Sequence, residues 1–354
     1  MPMLEVEFAS GARTTCVIEP GALSRLPQLC AQAGLKGTAG LVCDARLMQL
    51  HREALLALRP AFGDPLARPV SEARKTLAEV EAICETLSAR GVQRDGFVVA
   101  IGGGVLTDLA GFAAAIYLRG VPWASVPSTL LAQVDAGFGG KTGANLRAAK
   151  NLIGAFHQPR LVVCDPLLLT TLPERERWSG LAEVVKCALI APGDLLDRCE
   201  RDLEKAAAGD PAALAPLVEG AVRVKARIVS ADEREGGVRA FLNFGHTVGH
   251  ALEAATEYTH FTHGEAVALG LKGALALSPL AEKERALRLV ERLRVAASRS
   301  LDADRREAAL QAMSRDKKAR AGRIRFVVLD ALGAPRLTEV SPAECARALA
   351  EALS

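Results

Sequence analysis

Four of the six histidines in this 354-residue chain fall between residues 246 and 263, in the stretch Asn243-Phe-Gly-His246-Thr-Val-Gly-His250 … His263-Gly-Glu265. Neutral imidazole is the commonest metal-ligating side chain. His246 and His250 are four apart, so on a helix they project from one face. His263 can join them from the start of the next element. A catalytic metal typically takes three protein ligands and keeps one position open. An HxxxH pair alone is common and more often structural. Three or four clustered imidazoles in a His-poor chain point to a metal site.

Two glycine-bearing loops could meet a phosphate. Phe97-Val-Val-Ala-Ile-Gly102-Gly-Gly104-Val-Leu-Thr-Asp108 reads as strand, triple glycine, helix. A backbone without Cβ atoms admits a ligand closely, and a helix N-terminus offers free N–H groups and the positive end of its dipole, which suits a pyrophosphate. A tight βα turn accounts for the same glycines, and the spacing departs from GxGxxG. Asp135-Ala-Gly-Phe-Gly-Gly140-Lys141-Thr142 ends like a P-loop. It fails as one, because Asp135 stands where the first glycine is required and the preceding strand is too far back. Nucleoside triphosphate hydrolysis is excluded. Lys141 is a candidate phosphate ligand, although without further context a solvated surface lysine accounts for it better.

The elements that must hold these groups change character along the chain. Leu4–Phe8 and Thr14–Ile18 alternate as a hairpin across Ser10-Gly11, and Ala39–Cys43, Phe97–Ile101, Trp123–Val126 and Leu161–Cys164 are short apolar runs of buried-strand type. Helical stretches at Ala45–Leu58, Lys75–Arg90 and Leu106–Leu118 separate them, which predicts a mainly parallel sheet with covered faces. Past Pro173 helical spacing takes over: Glu174–Ile190, Leu195–Ala207, Pro211–Ser230, Phe244–Glu257, Glu265–Ala281 and Lys283–Ala297. Only Ile324–Leu329 looks like a late strand, and Ser341-Pro-Ala-Glu344 is a capping box that opens a final helix. Two domains are expected, an α/β domain over 1–173 and a helical one over 174–354, with the active site between them.

Composition narrows the function. The net charge of +3, from 44 basic and 41 acidic residues, contains no basic run, and aromatic residues make up only 4% of the chain, which argues against a nucleic-acid partner. The N-terminal segment lacks the apolar region of a signal peptide, and the most apolar window, Leu109–Leu118, is far short of the ~20 residues of a membrane span. Eight cysteines without a CxxC pair or disulfide-like rhythm read as reduced thiols, so a soluble cytoplasmic enzyme is expected.

From about Asp44 to Asp316-Lys317-Lys318 the chain resembles the 3-dehydroquinate synthases of the sugar phosphate cyclase superfamily. The resemblance is carried by Gly102-Gly-Gly-Val-Leu-Thr-Asp108, Arg119-Gly-Val-Pro, Val126-Pro-Ser-Thr129-Leu-Leu, Gly139-Gly-Lys141-Thr-Gly, Lys150-Asn151-Leu-Ile-Gly-Ala-Phe-His157-Gln-Pro, Gly180-Leu-Ala-Glu183-Val-Val-Lys186 and Leu242-Asn-Phe-Gly-His246-Thr-Val-Gly-His250-Ala. It implies an N-terminal Rossmann-like NAD-binding α/β domain and an all-α C-terminal domain for metal and substrate. It further implies a divalent zinc or cobalt ion, a homodimer, and a place in the shikimate route to chorismate and the aromatic amino acids. The implied reaction converts 3-deoxy-D-arabino-heptulosonate 7-phosphate to 3-dehydroquinate and phosphate: oxidation at C5 by NAD, loss of phosphate, re-reduction, ring opening and aldol closure, with NAD unconsumed.

By motif the resemblance implies Glu183, His246 and His263 as metal ligands. Lys186, at i+3 from Glu183, would reach a substrate hydroxyl, and His250 would be free for acid/base or phosphate work. For NAD it implies Asp44, Glu72, Lys75, Gly103, Gly104, Val105, Asp108, Ser128, Thr129, Asp135, Lys150, Thr171 and Leu172. For substrate it implies Lys141, Asn151, Lys225, Arg239, Asn243, His250 and one of Lys317 and Lys318, with Arg119 reaching a neighbouring subunit's site. His260 reads as a surface histidine. Two departures from the family pattern stand out. Ser128 replaces a threonine and keeps the hydroxyl, whereas Ala136-Gly137-Phe138 removes two hydroxyls near the expected nicotinamide. The rival readings are a cyclase acting on sedoheptulose 7-phosphate and a metal-dependent polyol dehydrogenase, neither of which needs a carboxylate clamp at Lys225 and Arg239.

Overall fold

A computed structural model describes residues 3–147, 149–315 and 324–354; Lys317 and Lys318 lie outside them. The chain divides into two compact units, Met1–Leu172 with Gly209–Arg234, and Pro173–Ala208 with Glu235–Ser354.

The first unit is built on a seven-stranded sheet. Its strands are β1 (Met3–Glu7), β2 (Arg13–Ile18), β3 (Ala39–Asp44), β4 (Leu66–Arg68), β5 (Phe97–Gly102), β6 (Trp123–Pro127) and β9 (Leu161–Cys164), in the order β1-β2-β9-β6-β5-β3-β4. The β1–β2 hairpin is antiparallel, with Val6 opposite Thr14, and every other pairing is parallel. The central strands β3, β5, β6 and β9 are largely apolar and buried because both faces are covered. Leu41, Cys43, Val99 and Ile101 enter one core with Leu26 and Leu29, while Val42, Val98 and Ala100 enter the other with Ile83, Leu106 and Leu109. A second hairpin, β7 (Lys141–Ala144) with β8 (Ile153–Phe156), packs on the helix Gly104–Ile116. Periodicity did not predict it, because its strands are short and glycine-bearing.

Two expectations about helices are corrected here. Ala45–Leu58 is not one helix: it breaks at His51, whose φ is −125°, and Pro60 opens a further short turn, giving Ala45–Leu50, Arg52–Leu56 and Arg59–Phe62. The helix Pro211–Ala231, expected in the helical half at 174–354, belongs to the first unit. It packs against β1, β2 and the turns at 132–136 and 166–169.

The second unit is mainly helical. The helix Glu174–Ile190 packs against Leu195–Ala208 and against His263–Leu277, which also packs on His246–Ala255 and on the final helix Pro342–Leu353. The unit also holds an antiparallel hairpin, β10 (Ile324–Ala331) with β11 (Ala334–Val340), so it is not purely α. Among the described residues no helix is long and apolar enough to cross a membrane. None of the eight cysteines is joined in a disulfide, and seven are buried.

Candidate active site

In a doubly wound sheet the ligand crevice opens at the carboxyl ends of the strands, where strand order reverses. Here β3 has β4 on one side and β5 on the other, so the reversal falls between β3 and β5. Most of the expected cofactor residues follow those strand ends. Asp44 closes β3 and caps the next helix through Arg46 N at 2.9 Å. Glu72 and Lys75 follow β4, Gly103, Gly104, Val105 and Asp108 follow β5, Ser128 and Thr129 follow β6, and Thr171 and Leu172 follow β9. Gly103 is the N-cap of the helix Gly104–Ile116, so free N–H groups end the glycine loop. A Cβ on Gly104 would lie 2.9 Å from Ala136 Cβ, so the helix start and the 132–136 turn meet at backbone range.

Residues expected in two roles form one network. The buried Lys75 donates to Asp108 Oδ2 and Asn151 Oδ1, both at 2.5 Å. Burial pushes the Asp108 carboxyl up to about 6 against the opposing pull of Lys75. Glu72 Oε1 accepts from Asn145, which the sequence reading missed, at 2.7 Å and lies 3.8 Å from Lys150 Nζ. Lys225 Nζ donates to both the backbone and a side-chain oxygen of Asp135 at 2.5 Å. Asp135 rides on a one-turn π-helix, Ala132–Ala136, a distortion frequent at functional sites. Phe138, one of the departures from the family pattern, is buried with its ring 6.4 Å from that of Phe8.

The second unit gathers the metal candidates. Glu183 and Lys186, each 1% exposed, form an ion pair within the helix Glu174–Ile190. The start of the helix His263–Leu277 is fastened to this one. Gly264 N donates to Ser179 Oγ at 3.0 Å, and a Cβ on Gly264 would collide with the Ser179 backbone. Thr262 and Glu265 form a capping box, and Glu265 also accepts Arg175 Nε and Nη2 at 3.0 and 2.7 Å and Ala296 N at 2.9 Å. Burial would raise the Glu265 carboxyl, but these donors outweigh it and lower it. Glu265 is thus an anchor for His263.

His246 Nε2 lies 3.4 Å and His263 Nε2 3.7 Å from the same Glu183 Oε1. Their Nδ1 atoms face outward, His246 to Phe244 O and His263 to Glu253 Oε1, both at 3.3 Å. One donor atom each from Glu183, His246 and His263 lie within 4.8 Å of one another, and so do those of His250, Glu253 and His263. The His250 ring stands 5.1 Å from that of His246 and 6.0 Å from that of His263. Burial, reinforced by Lys186, drives His246 well below its ordinary value, so the ring is neutral. Burial pulls His263 down as well, but Glu183 and Glu253 outweigh it and push it up to about 10. Two imidazoles and a carboxylate suit zinc or cobalt.

The remaining expected residues are more scattered. Arg239 is buried on the turn Val238–Asn243, and Asn243 Nδ2 donates to Glu235 Oε1 at 3.3 Å. Lys225 belongs to the first unit and Arg239 to the second. Lys141 opens β7 and is exposed. Arg119 is exposed in the left-handed region (φ 70°) directly after Leu118 (φ 50°). His260 Nε2 meets Ser298 O at 2.8 Å. Glu253 was missed, although its place three residues after His250 and seven after His246 puts it on the same helix face.

Solved structures share the fold closely. 2-Deoxy-scyllo-inosose synthase, complexed with carbaglucose-6-phosphate, NAD+ and Co2+, is similar with a TM-score of 0.87 at 25% identity over 98% of this chain and 99% of that one. 2-Epi-5-epi-valiolone synthase from Streptomyces hygroscopicus subsp. jinggangensis 5008, with NAD+ and Zn2+ bound, gives 0.83 at 28% identity over 99% and 98%. The fold is that of the sugar phosphate cyclases, an α/β sheet unit followed by a helical one. Residues 66–179 match the 3-dehydroquinate synthase N-terminal family model and 180–319 the C-terminal one. The 3-dehydroquinate synthase of Citrifermentans bemidjiense is 41% identical over 335 residues, 92% of each chain. The chain belongs to the 3-dehydroquinate synthase family.

Two measurements test the cluster. His246→Ala should abolish tight Zn2+ binding while His250→Ala retains it; equal metal content in wild type and the His246 variant contradicts the ligand set. Because His263 still holds its proton at pH 8 when no cation is bound, Zn2+ uptake there should release about one proton, and affinity should rise with pH. Calorimetry in two buffers of different ionisation enthalpy counts that proton.

Proposed function

We propose that this chain converts 3-deoxy-D-arabino-heptulosonate 7-phosphate to 3-dehydroquinate and phosphate, using NAD and one divalent ion, Zn2+ or Co2+, on the route to chorismate and the aromatic amino acids. The observation that carries this reading is the Glu183/His246/His263 donor set, with Glu183 and His246 buried, beside Lys186 in a chain of this family. The bound NAD of the similar cyclase structures supports assigning the glycine-loop edge of the α/β unit to that cofactor. When bound, NAD supplies a hydride acceptor and the cation supplies Lewis acidity toward the substrate hydroxyls.

The chain's own residues bind, orient and move protons. Lys186, held by Glu183, is placed to exchange a proton with a substrate hydroxyl, and His250 to serve as acid/base or phosphate ligand. Lys141, Arg119 and Lys317 or Lys318 take the phosphate; Lys225, oriented by Asp135, and Arg239 take the carboxylate, with Asn151 and Asn243 on hydroxyls. That carboxylate clamp, and relatives at 41% identity, favour the heptulosonate phosphate over sedoheptulose 7-phosphate or a polyol.

A homodimer fits the surface of the first unit. Ile116, Leu118, Leu146, Leu152 and Phe156 are exposed around the β7–β8 hairpin and the turn that bears Arg119. Burying them against a second copy would carry Arg119 toward a neighbour's site. Mostly buried cysteines outside any disulfide fit a cytoplasmic enzyme.

Phosphate release from the heptulosonate phosphate should require metal, stop with chelator, and proceed without net build-up of reduced nicotinamide. Stoichiometric NADH would instead mark a dehydrogenase. A hydrogen bond to a charged group contributes roughly 1.5–3 kcal/mol, so Arg239→Ala should lower kcat/KM on the order of 10–100-fold with little change in NAD or metal binding. Faster turnover of sedoheptulose 7-phosphate would overturn the substrate assignment.

A further inference from the structure

Both candidate ligand imidazoles present Nε2 to one carboxylate oxygen, so each Nδ1 must be held from behind. His246 is held by a backbone carbonyl, Phe244 O at 3.3 Å, which is locked in the turn before its helix. His263 is held differently: its Nδ1 meets the carboxylate of Glu253, also at 3.3 Å. Glu253 is 12% exposed on its side chain and stands on the helix His246–Ala255, while His263 opens the next helix. The two helices are packed at glycine distance, since a Cβ on Gly270 would collide with Gly245 O and one on Gly249 would lie 3.0 Å from Ala266 O. The carboxylate therefore reaches His263 from a fixed backbone.

We infer that Glu253 is a positioning residue for the metal site, acting through His263. It accepts the Nδ1 proton, fixes the ring plane and tautomer, and leaves Nε2 to the cation. A carboxylate behind a ligating histidine raises its basicity, and such outer partners are typically worth about 10–100-fold in metal affinity. The same atoms admit another arrangement, in which Glu253 and His250 ligate a cation directly with His263. Geometry favours the first, because His246 and His263 both turn Nε2 to the buried Glu183 Oε1, whereas His250 is exposed. The inference rests on the metal reading above.

Zn2+ affinity of the full chain, measured by competition with a chromophoric chelator, tests it, together with the visible spectrum of the Co2+-loaded protein. Glu253→Ala should bind Zn2+ about 10–100-fold more weakly and alter the Co2+ bands, while Glu253→Gln, whose amide oxygen still accepts from Nδ1, should recover most of the affinity. Thermal melts of both variants control for folding. Wild-type affinity in Glu253→Ala overturns the inference. So does loss of metal in His250→Ala as deep as in His246→Ala, with no rescue by Glu253→Gln, because Glu253 would then be a ligand. A wild type that takes up no Zn2+ overturns the metal reading itself, and is told apart because no variant is needed to see it.

Discussion

A carboxylate at 1% exposure must be compensated, because an unpaired buried charge costs several kcal/mol. Glu183 is that carboxylate, and the geometry around it follows from its need. Lys186 one turn along supplies an ammonium, and His246 and His263 bring imidazole nitrogens to one of its oxygens. A divalent cation held by these groups would bring two positive charges in place of the His263 proton. The backbone has yielded to allow the cluster: only glycine at position 264 lets the start of one helix lie on Ser179 of another. Chemistry and packing at this spot share the same atoms.

The first unit meets a different requirement. Its central strands are buried among apolar contacts on both faces, so polar function is pushed to the strand ends. There Lys75, Asp108 and Asn151 settle one another's charge and hydrogen-bonding capacity, as Lys225 and Asp135 do beyond them. Each pair is mutually restrained before any ligand arrives, which reduces the ordering a ligand must impose.

Much of this was legible in the residues. Strand-type runs marked β3, β5, β6 and β9, the Ser10-Gly11 turn marked the first hairpin, and the histidine cluster marked the cation candidates. What escaped did so for physical reasons. Glu253 carries no motif signal, since its role depends on the crossing of two helices. Helical periodicity identifies the helix Pro211–Ala231 but says nothing about which unit its apolar face will meet. Phe138, a departure from the family pattern, packs in the core against Phe8, a contact that its sequence position does not reveal. Ala45–Leu58 kept helical composition while the backbone broke at His51 and the second helix ended at Leu56.

The placement of the helix Pro211–Ala231 carries a consequence for synthesis. The chain leaves its first unit at Leu172, builds Pro173–Ala208, and returns for Gly209–Arg234 before finishing the second. Neither unit is a continuous stretch, so neither is complete when its first segment emerges from the ribosome. The sheet waits for residue 234 before β1, β2 and the turns beside them gain their last helix, and the Glu174–Ile190 helix must wait longer for its partners. Chains at this intermediate length hold apolar surface open to solvent, and at ~5–20 residues per second that interval lasts some seconds. Exposure to aggregation or to chaperone capture is therefore concentrated in one defined window of translation.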